Sequence, residues 1–214
     1  MIDQHVITSS SSSKDLGIVV DTSLKFHQHI QVTINKASSL AYNLLKSTLC
    51  RTPNFMVTLY KTHIRPIIEF GSTVWNTGYI GDVKALESVQ RRWTKKISGF
   101  SDVPYSERLS TLNLYSVYGR LCRADIIKYW KIFHNLSPIK PEDLFSLSRS
   151  STRGHRYKLN MPRCHLEVRK RYFSIRCIKL WNSLPDDVVA IDSLPSFKAS
   201  LHTWLSHHLF FYFD

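Results

Sequence analysis

Apolar residues recur at intervals of three and four from Phe26 to Ile97, and that rhythm restricts the chain to packed helices more firmly than any other feature. Phe26, Ile30, Ile34, Ala37, Ala41, Leu44 and Leu45 fall on one side of a helix over 26–49. Arg51-Thr52-Pro53 breaks the pattern and restarts it, with Thr52 as N-cap and Pro53 in the first turn, where its missing N–H costs nothing. Phe55, Met56, Leu59, Tyr60, His63, Ile64, Ile67 and Ile68 carry the stripe onward. Pro66 lies inside it. Its ring removes one backbone hydrogen bond and crowds a carbonyl, so a kink is predicted near His63 and Ile64. A loop between Gly71 and Gly81 holds Trp75. A third helix over 82–98 turns Val83, Leu86, Val89, Trp93 and Ile97 inward.

The flanks are less regular. Val6-Ile7-Thr8 and the β-branched run Leu16-Gly17-Ile18-Val19-Val20-Asp21 read as two strands joined by a polar serine loop, and Asp21-Thr22-Ser23 is a turn and helix-cap signal. Such a hairpin is marginal alone, so it must pair with more sheet or lie on the helices. Beyond the linker Ser101 to Pro104, a short helix over 105–110 and a long one over 117–135 are predicted. Leu121, Ala124, Ile127, Ile132 and Phe133 are the long helix's core positions. Pro138 and Pro141 end it. Residues 145–159 are irregular, with an extended piece over 156–160, and helices follow over 167–182 and 196–208. The predicted fold is mainly α: a hairpin remnant over 1–24, a helical, bundle-like region over 25–137, and a smaller, basic helical part over 138–214. The apolar run at 209–213 is too short to span a membrane and reads as a docked or exposed tail.

The chain's formal charge of +13 points to a polyanionic partner, nucleic acid before an anionic membrane surface. Residues 149–179 hold ten Lys or Arg against the single acid Glu167, a net of +9. Arg153, Arg156, Lys158, Arg163, Arg169, Lys170, Arg171 and Arg176 are the candidate phosphate contacts in that run. Tyr157, His155, Tyr172 and Phe173 lie among them, a mixture suited to unpaired or hybrid nucleic acid. Tyr172 and Phe173 are expected in the core whatever the function. A second cluster, Arg91, Arg92, Lys95 and Lys96, surrounds Trp93, which reads as an inward anchor. Arg92, Lys95 and Lys96 share one helix side, where their mutual repulsion is offset by a phosphate backbone.

Other chemistry is thin. The four cysteines, Cys50, Cys122, Cys164 and Cys177, form no CxxC pair, so reduced thiols in an intracellular compartment, nuclear or cytoplasmic, are the plain expectation. No phosphate loop, zincin motif or nucleophile elbow is present. Asp186-Asp187 sits where a helix N-terminus is expected, and the helix dipole accounts for it.

Four blocks in order carry a resemblance. They are Lys14-Asp15-Leu16-Gly17-Ile18-Val19-Val20-Asp21 with Phe26-His27-Gln28-His29-Ile30; Leu59-Tyr60 through Arg65-Pro66 and Glu69-Phe70-Gly71 to Trp75; Leu86-Glu87-Ser88-Val89-Gln90-Arg91-Arg92; and Trp181-Asn182-Ser183-Leu184-Pro185 with Phe197-Lys198. Together they resemble the region after the polymerase palm in the reverse transcriptase of jockey-like non-LTR retrotransposons (LINE elements). The resemblance implies a thumb-like helical region and a tail that bind RNA or DNA as template–primer, in association with a palm that this chain lacks. The family's Tyr/Phe-x-Asp-Asp motif is not in the sequence. The chain is therefore expected to have no catalytic residues, cofactor or metal of its own, with Mg²⁺ belonging to the complete polymerase. A helical protein-interaction module and a non-functional translated relic of such an element are the alternatives.

Overall fold

A computed structural model describes residues 9–148 and 155–208. The expected strand at Val6 to Thr8, the cations Arg149 and Arg153, and the apolar run at 209–213 lie outside those residues.

The described chain is mainly helical and opens with an antiparallel hairpin, as its sequence predicts. The hairpin's first strand is not the predicted one. β1 (Ser12–Asp15) is built from the serine run itself and pairs with β2 (Ile18–Asp21), Ser13 opposite Val20 and Asp15 opposite Ile18. Leu16 and Gly17 form the turn, both at positive φ (45° and 89°), the geometry whose twist suits a two-residue hairpin. A turn that short leaves the residues immediately upstream as the only possible partner strand. The hairpin lies on the helices: Ile18 is buried, and the Val19 N–H donates to His29 Nδ1 at 3.3 Å. Gly71 permits this approach. A Cβ there would come within 2.7 Å of the Ile18 side chain, and its φ is +62°.

Asp21 closes the hairpin and ties the turn that leads into α1 (His27–Ser47), whose own N-cap, Phe26, carries no side-chain cap. The Asp21 carboxylate accepts N–H bonds from Ser23, Lys25 and Phe26, at 3.0, 3.3 and 2.8 Å, and the Ser23 hydroxyl. Burial alone would raise this carboxyl; the four donors outweigh it and hold it below its ordinary range. Helix α2 (Pro53–Leu59) runs into a wide π turn at Tyr60–Ile64, where the Arg65 N–H reaches back five residues to the Tyr60 carbonyl, and then into α3 (Arg65–Glu69). This is the predicted distortion, placed just before Pro66, whose ring excludes an ordinary α turn. Met56, Tyr60, Ile64 and Ile68, four apart, are all buried along it.

The Trp75 loop contains a short helix, α4 (Ser72–Trp75), and α5 (Ile80–Thr94) follows. Helix α5 ends four residues before the predicted 98, because the chain turns so that Ile97 is buried and the Ser98 N–H bonds the Arg51 carbonyl at 2.9 Å. After α6 (Tyr105–Thr111) comes the long helix α7 (Val117–Phe133). Two apolar clusters meet inside it: one gathers α1 to α6 and ends at Leu121, the other begins at Ile126 and takes in the tail. Cys122, Ile126, Tyr129 and Trp130 are buried on α7, whereas Ala124 and Ile127, predicted as core, are only half-buried.

The tail departs most from expectation. After α8 (Pro141–Leu144), Leu147 pairs with Leu159 as an isolated antiparallel bridge, within the predicted extended segment. The single helix predicted over 167–182 is instead three short ones: α9 (Glu167–Lys170), α10 (Phe173–Arg176) and α11 (Ile178–Asn182). Arg171 and Arg176 explain the breaks. On one helix they would point about 140° apart. Here both reach the same stretch of backbone, Arg171 donating to the Thr77 and Gly78 carbonyls and Arg176 to that of Thr73. Asp186 and Asp187 occupy the first turn of α12 (Asp186–Val189), and α13 (Leu194–His208) packs Phe197, Leu201 and Leu205 against Trp130 and its neighbours. Tyr172 is exposed and is not the core residue that the sequence suggests, whereas Phe173 is half-buried and packs against the tail cluster, its ring 5.1 Å from that of Tyr129.

Two buried histidines set a pH dependence. His29 is held below the ordinary histidine value by burial and by Lys36; His155 is lowered by burial against the opposing bond to the Trp181 carbonyl at 2.9 Å. Both remain neutral in the fold where the unfolded chain takes up protons. Their contribution is therefore complete above about pH 6.5 and is lost as the pH falls below it. The urea midpoint is expected to drop between about pH 7.5 and pH 5.5. A His29→Gln, His155→Gln double variant should show a smaller drop; an equal one would place the dependence elsewhere.

Candidate nucleic-acid interface

The C-terminal end of α5 faces the middle of α1 across a groove of about 300 Å³, lined by Ser38, Ala41, Tyr42, Arg92 and Lys96 with Trp93 at its floor. Trp93 is the predicted anchor: it is 1% exposed and its Nε1–H donates to the Met56 carbonyl at 3.1 Å. Arg92 spans the groove to the Ser38 hydroxyl at 3.1 Å. Lys95 and Lys96 lie in the turn just beyond α5 and are both exposed, Lys96 lining the groove. None of these three cations is ion-paired among the described residues. Arg91 differs. Its guanidinium lies 4.4 Å from the Tyr105 ring centroid and its carbonyl accepts from Arg108, so part of its task is packing.

Tyr42, 64% exposed on α1, is the aromatic that sequence reasoning missed. Lys46 follows it by one turn on the same face. The available signal was a large ring on the polar side of an otherwise regular stripe. The groove thus combines exposed cations with a ring that has room for a base, the two elements of a stacking and phosphate-binding surface.

The tail divides its cations between fold and solvent. Arg176 is consumed by the fold: its Nε and Nη2 meet the two oxygens of Asp125 at 2.8 and 2.7 Å, with Asp125 fully buried. Burial would lower this guanidinium; the hydrogen bonds to Asp125 outweigh it and hold it above its ordinary value. Burial pushes the Asp125 carboxyl up, against the hydrogen bonds from Arg176, Cys177 and Asn76 that favour its charged form. Arg171, half-buried, clamps the Tyr79 ring at 4.1 Å while it bonds the 77–78 carbonyls. Lys170 pairs with Glu167 at 2.5 Å. Arg156 and Arg169 are exposed, lying over Tyr157 and Tyr172 at 4.8 and 5.3 Å, and Arg163 is exposed with no ion pair among the described residues. Lys158 is half-buried. The α1–α5 groove and the tail cations are therefore two surfaces.

The blocks quoted above prove to be fastenings. Glu87, buried, accepts the Val117 N–H at 2.9 Å and the Tyr105 hydroxyl; Gln90 donates to the Tyr105 oxygen and the Tyr115 carbonyl. Burial raises the Glu87 carboxyl, against the pull of those donors. Glu69 takes Arg120 through both oxygens at 2.7 and 2.8 Å, and Trp75 Nε1–H bonds the Phe70 carbonyl. Trp181 is buried with its N–H on the Tyr157 carbonyl, and Asn182 bonds both the N–H and the carbonyl of Leu159.

The described residues bring together no group of three His, Cys, Asp or Glu that could hold a metal, so they do not fit a polymerase's Mg²⁺. Among them no helix is long and apolar enough to cross a membrane. No protein-family model and no solved structure matches the chain. Over 125 residues it is 25% identical to an uncharacterized protein of Caenorhabditis elegans, a stretch covering 57% of this chain and 61% of that protein. The match thus spans about three-fifths of that relative.

Proposed function

We propose that the chain is the thumb-like and tail region of a jockey-like LINE reverse transcriptase, without its catalytic palm, and that it binds template–primer or other RNA and DNA through exposed cations. The observation that carries the binding is the α1–α5 groove: Arg92 and Lys96 line it beside the exposed ring of Tyr42, Lys95 is exposed next to Lys96 in sequence, and none of the three is ion-paired among the described residues. Like charges held so close cost stability, and a phosphate backbone recovers it. Arg156, Arg163 and Arg169 supply further exposed cations on the tail, apart from the groove. The order of the four sequence blocks supports the family assignment. Leu16 and Phe70, exposed beside the hairpin, are suited to meeting a palm.

Affinity for an RNA–DNA hybrid is then chiefly electrostatic and tolerant of sequence. Fluorescence anisotropy with a labelled hybrid should show binding that weakens steeply between about 50 and 200 mM salt. Affinity independent of salt would contradict the mechanism.

A further inference from the structure

A second concavity, about 620 Å³, opens between the 76–78 loop, α7 and the short tail helices, on the wall formed by Lys170, Arg171 and Lys179. It is large enough for one nucleotide. We propose that this cleft is a nucleotide-phosphate site, taking one phosphate of a nucleic-acid strand or of a free nucleotide. The proposal rests on the nucleic-acid reading only for the class of anion.

Three features point there. Lys179 projects from α11, exposed and with no acid partner among the described residues. Arg171 is fixed by its clamp on the 77–78 carbonyls and on Tyr79, yet its Nε–H is buried with no acceptor. A buried donor left unsatisfied is costly, and a small movement of the guanidinium toward a ligand oxygen would relieve it. Glu167, on the same wall, lies 2.5 Å from Lys170 and 3.7 Å from Arg171. Its carboxylate occupies the cations as an internal anion, held by an exposed side chain that can swing away. A phosphate offers more oxygens to the same donors and displaces it. Tyr118 on the α7 side supplies an aromatic wall. Arg176, committed to Asp125, takes no part.

Calorimetric titration of the whole chain with adenosine 5′-monophosphate, adenosine and a short oligo(dT) tests this. The monophosphate should bind and adenosine should bind far more weakly. A Lys170→Gln, Lys179→Gln variant should lose about tenfold or more in affinity for the monophosphate. Glu167→Gln should bind it more tightly than wild type, whereas Glu142→Gln, an equal change of charge outside the cleft, should not. An Arg92→Gln, Lys96→Gln variant should keep monophosphate binding and weaken oligo(dT). No monophosphate binding, or binding indifferent to Lys170 and Lys179, overturns the cleft site even where oligo(dT) still binds through the groove. Monophosphate binding without oligo(dT) binding upholds the cleft as a free-nucleotide site and removes the surface reading.

Discussion

Replacing Asp125 by alanine is expected to destabilise the fold by about 3–5 kcal/mol, because the change strands a charge. Asp125 sits at the centre of α7 with no exposed surface, and Arg176 brings its guanidinium to both carboxylate oxygens. Arg176 cannot retreat to water: its side chain is 10% exposed and also bonds the Thr73 carbonyl. Once the carboxylate is gone, the guanidinium keeps its desolvation cost and loses the compensation. The tail's grip on α4 and α7 should loosen with it, so urea unfolding of Asp125→Ala should become less cooperative as well as earlier. An Asp125→Leu, Arg176→Met double variant removes both charges at similar volume and should recover most of the loss. A single-variant cost below about 1 kcal/mol would mean that the pair does not fasten the tail.

Arg176 also shows where sequence stops being legible. Its place in a run of cations makes it look like a phosphate contact, and nothing local reveals that Asp125, fifty-one residues upstream, claims it. The break of the predicted 167–182 helix has the same origin, since Arg171 and Arg176 answer to distant backbone carbonyls rather than to helical period. Where the determinants are local, the reading holds: the stripes of α1 and α5, Trp93 as anchor, the distortion before Pro66, and the turn at Asp21. Periodicity and proline chemistry act within a turn or two, and so does the evidence for them. The hairpin register is set by Leu16-Gly17 as a two-residue turn, a local signal that overrides the β-branched run at Val6 to Thr8 as the partner strand. Tyr42 escapes a reading of the apolar stripe because that stripe marks the inner face, while the proposed binding uses the outer one. The basic cluster at the end of α5 was legible as charge, but its setting in a groove with an aromatic ring on its other wall required the packing of α1.

Reversing that cluster, with Arg92→Glu, Lys95→Glu and Lys96→Glu together, is expected to produce the largest loss of hybrid binding of any surface change. All three side chains are exposed or bound only to the Ser38 hydroxyl, so the fold should not suffer and the unfolding midpoint should hold. Each phosphate contact contributes about 0.7 to 0.9 to the slope of log affinity against log salt. Losing three should therefore flatten that slope by about two to three, which over a fourfold change in salt amounts to about 20- to 40-fold in lost sensitivity. The change in slope separates a lost contact from a general change in net charge. A matched triple reversal at Lys131, Lys140 and Lys198 alters the total charge equally without touching the groove, and should shift affinity with little change of slope. Tyr42→Ala adds the complementary result: weaker binding at every salt concentration, with an unchanged slope, as stacking carries no counterion release. If the triple reversal at the groove and the matched one behaved alike, binding would reflect the overall field of a +13 chain and the groove would have no special part in it.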